Sequence, residues 1–368
     1  MKKHNPENER IKRKYLIFLK EAKRQNEGSI DAVAKALSRF ESYTKHRDFK
    51  AFHFEQAVGF KKHLAKQDNQ LSGQKLSKAT LNSTLRYLKG FFQWLAMQQG
   101  YKSCISYTDT EYFNLSEKDA RVATARREKI APTLEQIRHV LEVMPVNTVI
   151  EQRNRSLIAF AILTGARDSA IASMKLKHID LSVGSVFQDA REVKTKFSKT
   201  FTTFFFPVGD DIRQIVYDWV TYLKEVLFFG NDDPLFSRTA IIQGDGMVFK
   251  SSGLTKEHWS TATAIRTIFR EAFIAAGLPY FNPHSFRNTL VGLGQKVCRT
   301  PEAFKAWSQN LGHEGVLTTF YSYGAVQTQR QAEIFQQLRS PHVPAQSNVD
   351  ELAKAVVREM RNQDKEKC

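Results

Sequence analysis

The segment from Ser103 to Ala131 constrains this chain most, because it loses the apolar periodicity that both of its flanks carry. It turns polar and charged and ends in ARVATARREKIA. Helical repeats on either side of a solvated stretch imply two separately packed cores. The length of 368 residues agrees, since one hydrophobic core rarely organises so long a chain. The expected organisation is a helical domain over residues 1–110, a linker over 111–131, a second domain over 132–340 and a C-terminal tail over 341–368.

Helical patterning runs from about Ile30 to Gly100, with turn residues clustered at Gln67–Gly73. Its clearest element spans Ser77 to about Gln98, where Leu81, Leu85, Leu88, Phe92 and Leu95 fall on one helical face behind Ser77 as N-cap. Other faces carry Lys78, Asn82, Arg86 and Lys89, which suit phosphates and base edges if the helix enters a DNA groove, and water if it does not.

The second domain opens at Pro132, where Thr133 and Gln136 form a capping box ahead of Leu134, Ile137 and Leu141. Helical texture lasts to about Leu181. The stretch SVFQDAREVKTKFSKTFTTFFFPVG then becomes rich in Val, Phe and Thr and predicts two or three short strands joined by basic turns. Helix resumes over Asp211–Leu227 and again from Thr261. The fold class is therefore mainly α, with an all-helical N-terminal domain and a mostly helical second domain holding a small antiparallel sheet.

Lys and Arg outnumber Asp and Glu by 55 to 38, a net +17 spread along the whole chain, which points to a polyanionic partner and above all to nucleic acid. No uninterrupted apolar stretch is long enough to span a bilayer, and the basic start does not read as a secretory signal. Cys104, Cys298 and Cys368 lack the paired spacing of a zinc site or a disulfide framework and read as free thiols. The expected location is the cytoplasm, at the nucleoid.

Four clusters carry chemistry. In TGARDSAIASMKLKHID the apolar helix around Leu157–Leu163 stops at Gly165 and leaves Arg167 in the corner before a new helix near Asp168. The run TKFSKT resembles a basic hairpin tip and offers Lys196 or Lys199 to a substrate. In NPHSFR, Asn282 and Pro283 suit a helix start, which places His284 and Arg287 three residues apart on one face near free N–H groups. In WSQNLGHEGVLTTFYSYG a helix begun at Thr300 and Pro301 ends near Gly312, delivers His313, and is followed by Tyr321 and Tyr323.

Taken in order, the Arg of TGAR, the basic hairpin, HxxR, LGH and a following Tyr resemble the signature of the tyrosine recombinases, or phage integrases, across Thr164 to Gly324. The resemblance implies a C-shaped clamp on duplex DNA and strand transfer with no metal, nucleotide or other cofactor. The energy of the broken phosphodiester is kept in a 3′-phosphotyrosine bond. It further implies a homo-oligomer, a tetramer when two DNA sites are paired, with accessory directionality or DNA-bending proteins as partners, and a role in integrating or excising a mobile element.

By the same resemblance, Arg167 and Arg287 hold the phosphate, His284 takes the tyrosine proton, His313 hydrogen-bonds the phosphate and a hairpin lysine protonates the leaving 5′-oxygen. The nucleophile is assigned to Tyr323, because TTFYSYG resembles a branch reading TTF-x-S-Y-G, with Tyr321 as the alternative. The lysine is assigned to Lys196, with Lys199 as the alternative. Many members carry a carboxylate three residues after the first arginine, where this chain has Ala170; Asp168 is the nearest acid. A type IB topoisomerase uses a similar set of groups, and a DNA-binding regulator without catalysis is the other competing class. After the tyrosines, Ile334, Phe335 and Leu338 pattern a helix, ahead of SPHVPAQS and a last charged helix.

Overall fold

The computed structural model describes residues 4–69, 73–125, 130–243 and 249–313. The chain divides into two compact units, residues 1–126 and 127–368.

The first unit is helical. It contains α1 (Pro6–Ile17), which runs on into a π-helical turn at Phe18–Ala22, then α2 (Glu27–Tyr43), α3 (Phe54–Lys66), α4 (Lys78–Leu95) and α5 (Glu117–Thr124). In α4 the Ser77 hydroxyl accepts from the Thr80 N–H at 3.1 Å, and Leu81, Leu85, Leu88, Phe92 and Leu95 are all buried, as the periodicity requires. They meet an aromatic core in which the Phe52 and Phe92 rings stack with centroids 4.0 Å apart and Phe40 packs edge-on to Phe92. Each fully buried phenylalanine contributes about 2–3 kcal/mol of hydrophobic stabilisation. The buried Asn8 side chain docks α1 by donating to the Arg47 carbonyl at 2.9 Å and accepting from the Phe49 N–H at 3.0 Å.

Part of the segment expected as linker belongs to this unit. The 3-10 turn Thr108–Phe113 inserts Phe113 into the aromatic core, and Ser116 caps α5. Charge density conceals this in the sequence, since a single buried aromatic at Phe113 anchors a run of mostly exposed residues.

The second unit is built around α7 (Val149–Thr164), which is buried on all sides from Ser156 to Thr164. Packed on it are α6 (Leu134–Val143), α9 (Asp210–Glu225) and α11 (Ser285–Val297). The expected capping box at the head of α6 is present: the Thr133 hydroxyl accepts from Gln136 N–H while the Gln136 side chain accepts from Thr133 N–H. Among the described residues, the remaining α-helices are α8 (Asp168–Ile171), α10 (Thr263–Ala275) and α12 (Pro301–Asn310).

A three-stranded antiparallel sheet joins β1 (Ile179–Asp180), β2 (Ser185–Gln188) and β3 (Phe201–Phe204) in that order. It lies where the Val- and Phe-rich stretch predicted strands. A second, two-stranded sheet pairs β4 (Thr239–Gln243) with β5 (Phe249–Leu254). This hairpin is not legible in the sequence, because its short strands alternate poorly: Ile241 and Ile242 are both exposed. Among the described residues, no helix is long and apolar enough to cross a membrane.

Candidate active site

Two backbone corners define the site. The first is the end of α7, where Gly165 adopts the left-handed conformation at φ 60° and its N–H caps the Ala161 carbonyl. A Cβ here would lie 2.9 Å from both Leu290 of α11 and Leu311, so glycine is required for the backbone angle and for the close approach alike. Arg167, half-buried, follows in extended conformation at the N-cap of α8. Ala170 belongs to the buried core, and the Asp168 carboxylate pairs with Arg266 at 2.8 Å.

The second corner is the end of α12. Gly312 has φ 69°, and a Cβ there would sit 2.6 Å from the Phe201 ring at the start of β3. The turn delivers His313, whose N–H reaches back to the Ser308 carbonyl at 3.2 Å. Asn310 clamps β3 alongside: its Oδ1 accepts from Phe204 N–H at 2.7 Å and its Nδ2 donates to Phe204 O at 2.8 Å.

Arg287 locks both corners together. It is 2% exposed, and its guanidinium donates to the Gly165 carbonyl at 2.5 Å, the Leu311 carbonyl at 2.5 Å and Nε2 of His313 at 2.9 Å. His313 is itself 8% exposed. Burial lowers its pKa to about 3, and the charges of Arg287, Arg167, His284 and Lys199 push in the same direction. The imidazole is therefore neutral at physiological pH. Because a guanidinium cannot accept a hydrogen bond, Nε2 is the unprotonated nitrogen and the proton resides on Nδ1.

His284 differs in detail from the sequence reading. Helix α11 starts at Ser285, two residues after Pro283, so His284 occupies its N-cap position and is exposed, whereas Arg287 is buried. Asn282 caps the preceding turn by accepting from Ser285 N–H at 3.2 Å. Despite this difference in depth, His284 still lies close enough for its charge to act on His313.

The two hairpin lysines also separate. Lys196 is exposed, with its ammonium 4.8 Å from the centroid of the Phe197 ring. Lys199 is half-buried and, two residues before Phe201, close enough to disfavour protonation of His313. The hairpin base is fixed to the Arg167 corner: Lys194 N–H donates to Ser173 Oγ at 2.8 Å, and Ser169 Oγ donates to Lys194 O at 3.2 Å. Tyr321 and Tyr323 lie outside the described residues.

On α4 the four polar residues are not equivalent. Lys78 pairs with Asp119 at 2.9 Å and Lys89 with Glu111 at 2.7 Å, while Arg86 is exposed and Asn82 half-buried. Both acids lie in the charge-rich segment over 111–131, whose packing against α4 no local pattern shows.

Residues 133–330, more than half of the chain, match the family model described as the phage integrase family. A tyrosine recombinase XerC of Lactobacillus delbrueckii subsp. bulgaricus is 22% identical over 261 residues, covering 70% of this chain and 76% of the relative. The XerC of Halalkalibacterium halodurans is 21% identical over 313 residues, covering 83% and 89%. Among solved structures, a lambda integrase dimer bound to a COC′ core site matches with TM-score 0.58 at 12% identity, covering 86% of this chain and 95% of the other. The Tn1549 transposon integrase in complex with transposon right end DNA matches with TM-score 0.55 at 15% identity, covering 89% and 99%.

Proposed function

This chain belongs to the phage integrase family of tyrosine-type recombinases, and from that premise we propose that it is a site-specific recombinase that integrates or excises a mobile element. The observation that carries the reading is the gathering of Arg167, His284, Arg287 and Lys199 around one neutral, buried imidazole, His313.

Such a site suits a phosphodiester under attack. Charge builds on the non-bridging oxygens in the transition state, and permanently charged guanidinium groups held in place beforehand stabilise it without reorganisation. Arg287 is held by two carbonyls and His313 before any substrate arrives. In the proposed reaction the phenol oxygen of Tyr323 attacks phosphorus and its proton passes to His284. The bond to the 5′-oxygen breaks, and that oxygen takes a proton from a lysine. Lys196 is the first assignment for this last role and Lys199 the alternative, which its half-burial and the action of its charge on His313 support. Attack of a 5′-hydroxyl on the phosphotyrosine reverses the sequence and rejoins the strand.

Within this reading the first unit is the core-binding domain, with Lys78, Asn82, Arg86 and Lys89 of α4 toward DNA. Residues 132–340 form the catalytic domain. Duplex DNA is the substrate, a tetramer forms on paired sites, and accessory bending or directionality proteins assist. The lambda and Tn1549 integrases, seen with a core site and a transposon end, support this assignment of substrate.

The test is covalent capture of the full-length chain on a pool of nicked duplexes randomised in sequence, with the modified residue mapped by mass spectrometry. Wild type is expected to form a 3′-phosphotyrosyl adduct at Tyr323, with Tyr323→Phe inactive and Tyr321→Phe active. An adduct surviving in Tyr323→Phe moves the nucleophile to Tyr321, and tight binding with no adduct removes the enzymatic reading. Supercoil relaxation without strand exchange between paired captured sites assigns a topoisomerase instead.

A further inference from the structure

The tip of the β2–β3 hairpin carries a feature that the proposed chemistry does not use. Phe197 has φ 61° and ψ 25°, and the next residue, Ser198, has φ 51°, so two consecutive side-chain-bearing residues occupy the left-handed region that favours glycine. Phe197 is nonetheless 78% exposed, so burial of its ring does not offset this conformation. Backbone strain of this kind persists where the surrounding structure over-determines it, commonly at ligand contacts. The base of the hairpin is indeed fixed: Ala190 N–H donates to Thr200 Oγ1 at 3.0 Å, Lys194 is tied to Ser169 and Ser173, and the Phe201 ring abuts Gly312. A rigid base therefore presents an unburied phenyl ring between Lys196 and Lys199, beside the turn that delivers His313.

An apolar ring flanked by ammonium groups complements a surface that is anionic outside and apolar inside. Duplex DNA has that construction, with phosphates along the groove walls and sugars and base edges between them. Phenylalanine is among the side chains that proteins press between base steps, partly unstacking them. Lys196, with its ammonium 4.8 Å from the ring centroid, holds the phenyl face and can reach an adjacent phosphate. We propose that Phe197 is a specificity-determining wedge, its ring pressed into the base step flanking the phosphodiester held by Arg167, Arg287 and His313. The energy of unstacking that step then enters the choice of cleavage site, so easily unstacked pyrimidine–purine steps are cleaved in preference. This inference rests on the reading that the chain cleaves DNA at that phosphate.

The experiment compares full-length wild type, Phe197→Ala, Phe197→Leu and Phe197→Gly. One probe is the randomised nicked pool described above. The other is the duplex that wild type captures most often, carrying 2-aminopurine at the step beside the cleaved bond. Phe197→Gly suits the left-handed backbone, so a retained or raised melting temperature separates loss of the ring from loss of the fold. Wild type is expected to enrich pyrimidine–purine steps at the cleaved position by about tenfold and to raise 2-aminopurine fluorescence on binding. Phe197→Ala and Phe197→Gly are expected to form adducts without step preference and without the fluorescence rise, with Phe197→Leu between them.

An unchanged step preference and fluorescence rise in Phe197→Ala overturns the wedge. So does a variant that captures single duplexes normally but fails in strand exchange, which would assign the ring to a protein contact. Absence of any adduct in wild type instead defeats the underlying cleavage reading, a result distinct from both.

Discussion

The Arg287 guanidinium donates to Nε2 of His313 at 2.9 Å inside a pocket where both side chains are buried. This bond selects the Nδ1-protonated tautomer and, with burial and the neighbouring charges, lowers the His313 pKa to about 3. Nitrogen NMR of the histidine side chains is expected to show His313 protonated on Nδ1 and not titrating between about pH 5 and 9. The effect on stability has a definite sign. A histidine whose folded pKa is depressed contributes stability that is fully present above its unfolded value, about 6.5, and that is lost as pH falls toward the folded value. Melting temperatures of wild type and His313→Gln should therefore diverge least at low pH and most above pH ~6.5.

Arg287 joins three chain segments, so its replacement by lysine is not conservative. Lysine keeps the charge but cannot serve the Gly165 carbonyl, the Leu311 carbonyl and His313 at once in a planar array. Arg287→Lys should lower unfolding stability by about 2–4 kcal/mol in urea titrations. Covalent adduct formation should fall by about a hundredfold or more. Retention of adduct formation together with reduced stability would make Arg287 a structural pin alone.

Gly312→Ala tests the second corner. The added methyl meets the Phe201 ring at 2.6 Å on a backbone at φ 69°, so strain and overlap act together. A loss of about 2 kcal/mol or more is expected, most of it persisting in a Gly312→Ala, Phe201→Ala double variant only if the backbone angle dominates. A double-mutant cycle by thermal unfolding separates the two causes.

These corners explain how much of the site was legible in the sequence. Gly165, Gly312, the α4 stripe and the Thr133 capping box are local in origin, so spacing and residue type sufficed to find them. The position of Lys199 depends on β3 being pinned by Asn310, more than a hundred residues later in the chain, and no local pattern shows that pairing. The exposure of His284 against the burial of Arg287 likewise follows from where α11 begins once Asn282 closes the preceding turn. The β4–β5 hairpin leaves no period-two signal, because strands with both Ile241 and Ile242 exposed do not alternate in hydrophobicity. Conversely, the charge-rich segment after Ser103 conceals the buried Phe113 that anchors it.

The ion pairs on α4 lead to a prediction about DNA binding. Lys78 to Asp119 and Lys89 to Glu111 are partly exposed pairs, and the hydrogen bond from Lys89 leads the causes that lower the Glu111 pKa. Pairs so open to solvent add little to stability, so Asp119→Asn and Glu111→Gln should leave the melting temperature nearly unchanged. If α4 faces DNA, phosphates must compete with these carboxylates for the two ammonium groups. Removing the acids then strengthens binding and frees two cations for counterion release. Fluorescence anisotropy on a random-sequence duplex is expected to show tighter binding in the double variant at low salt and a steeper dependence of log Kd on log salt, by up to about two units. An unchanged slope would place the Lys78 and Lys89 face of α4 away from the DNA and return those lysines to the solvated surface.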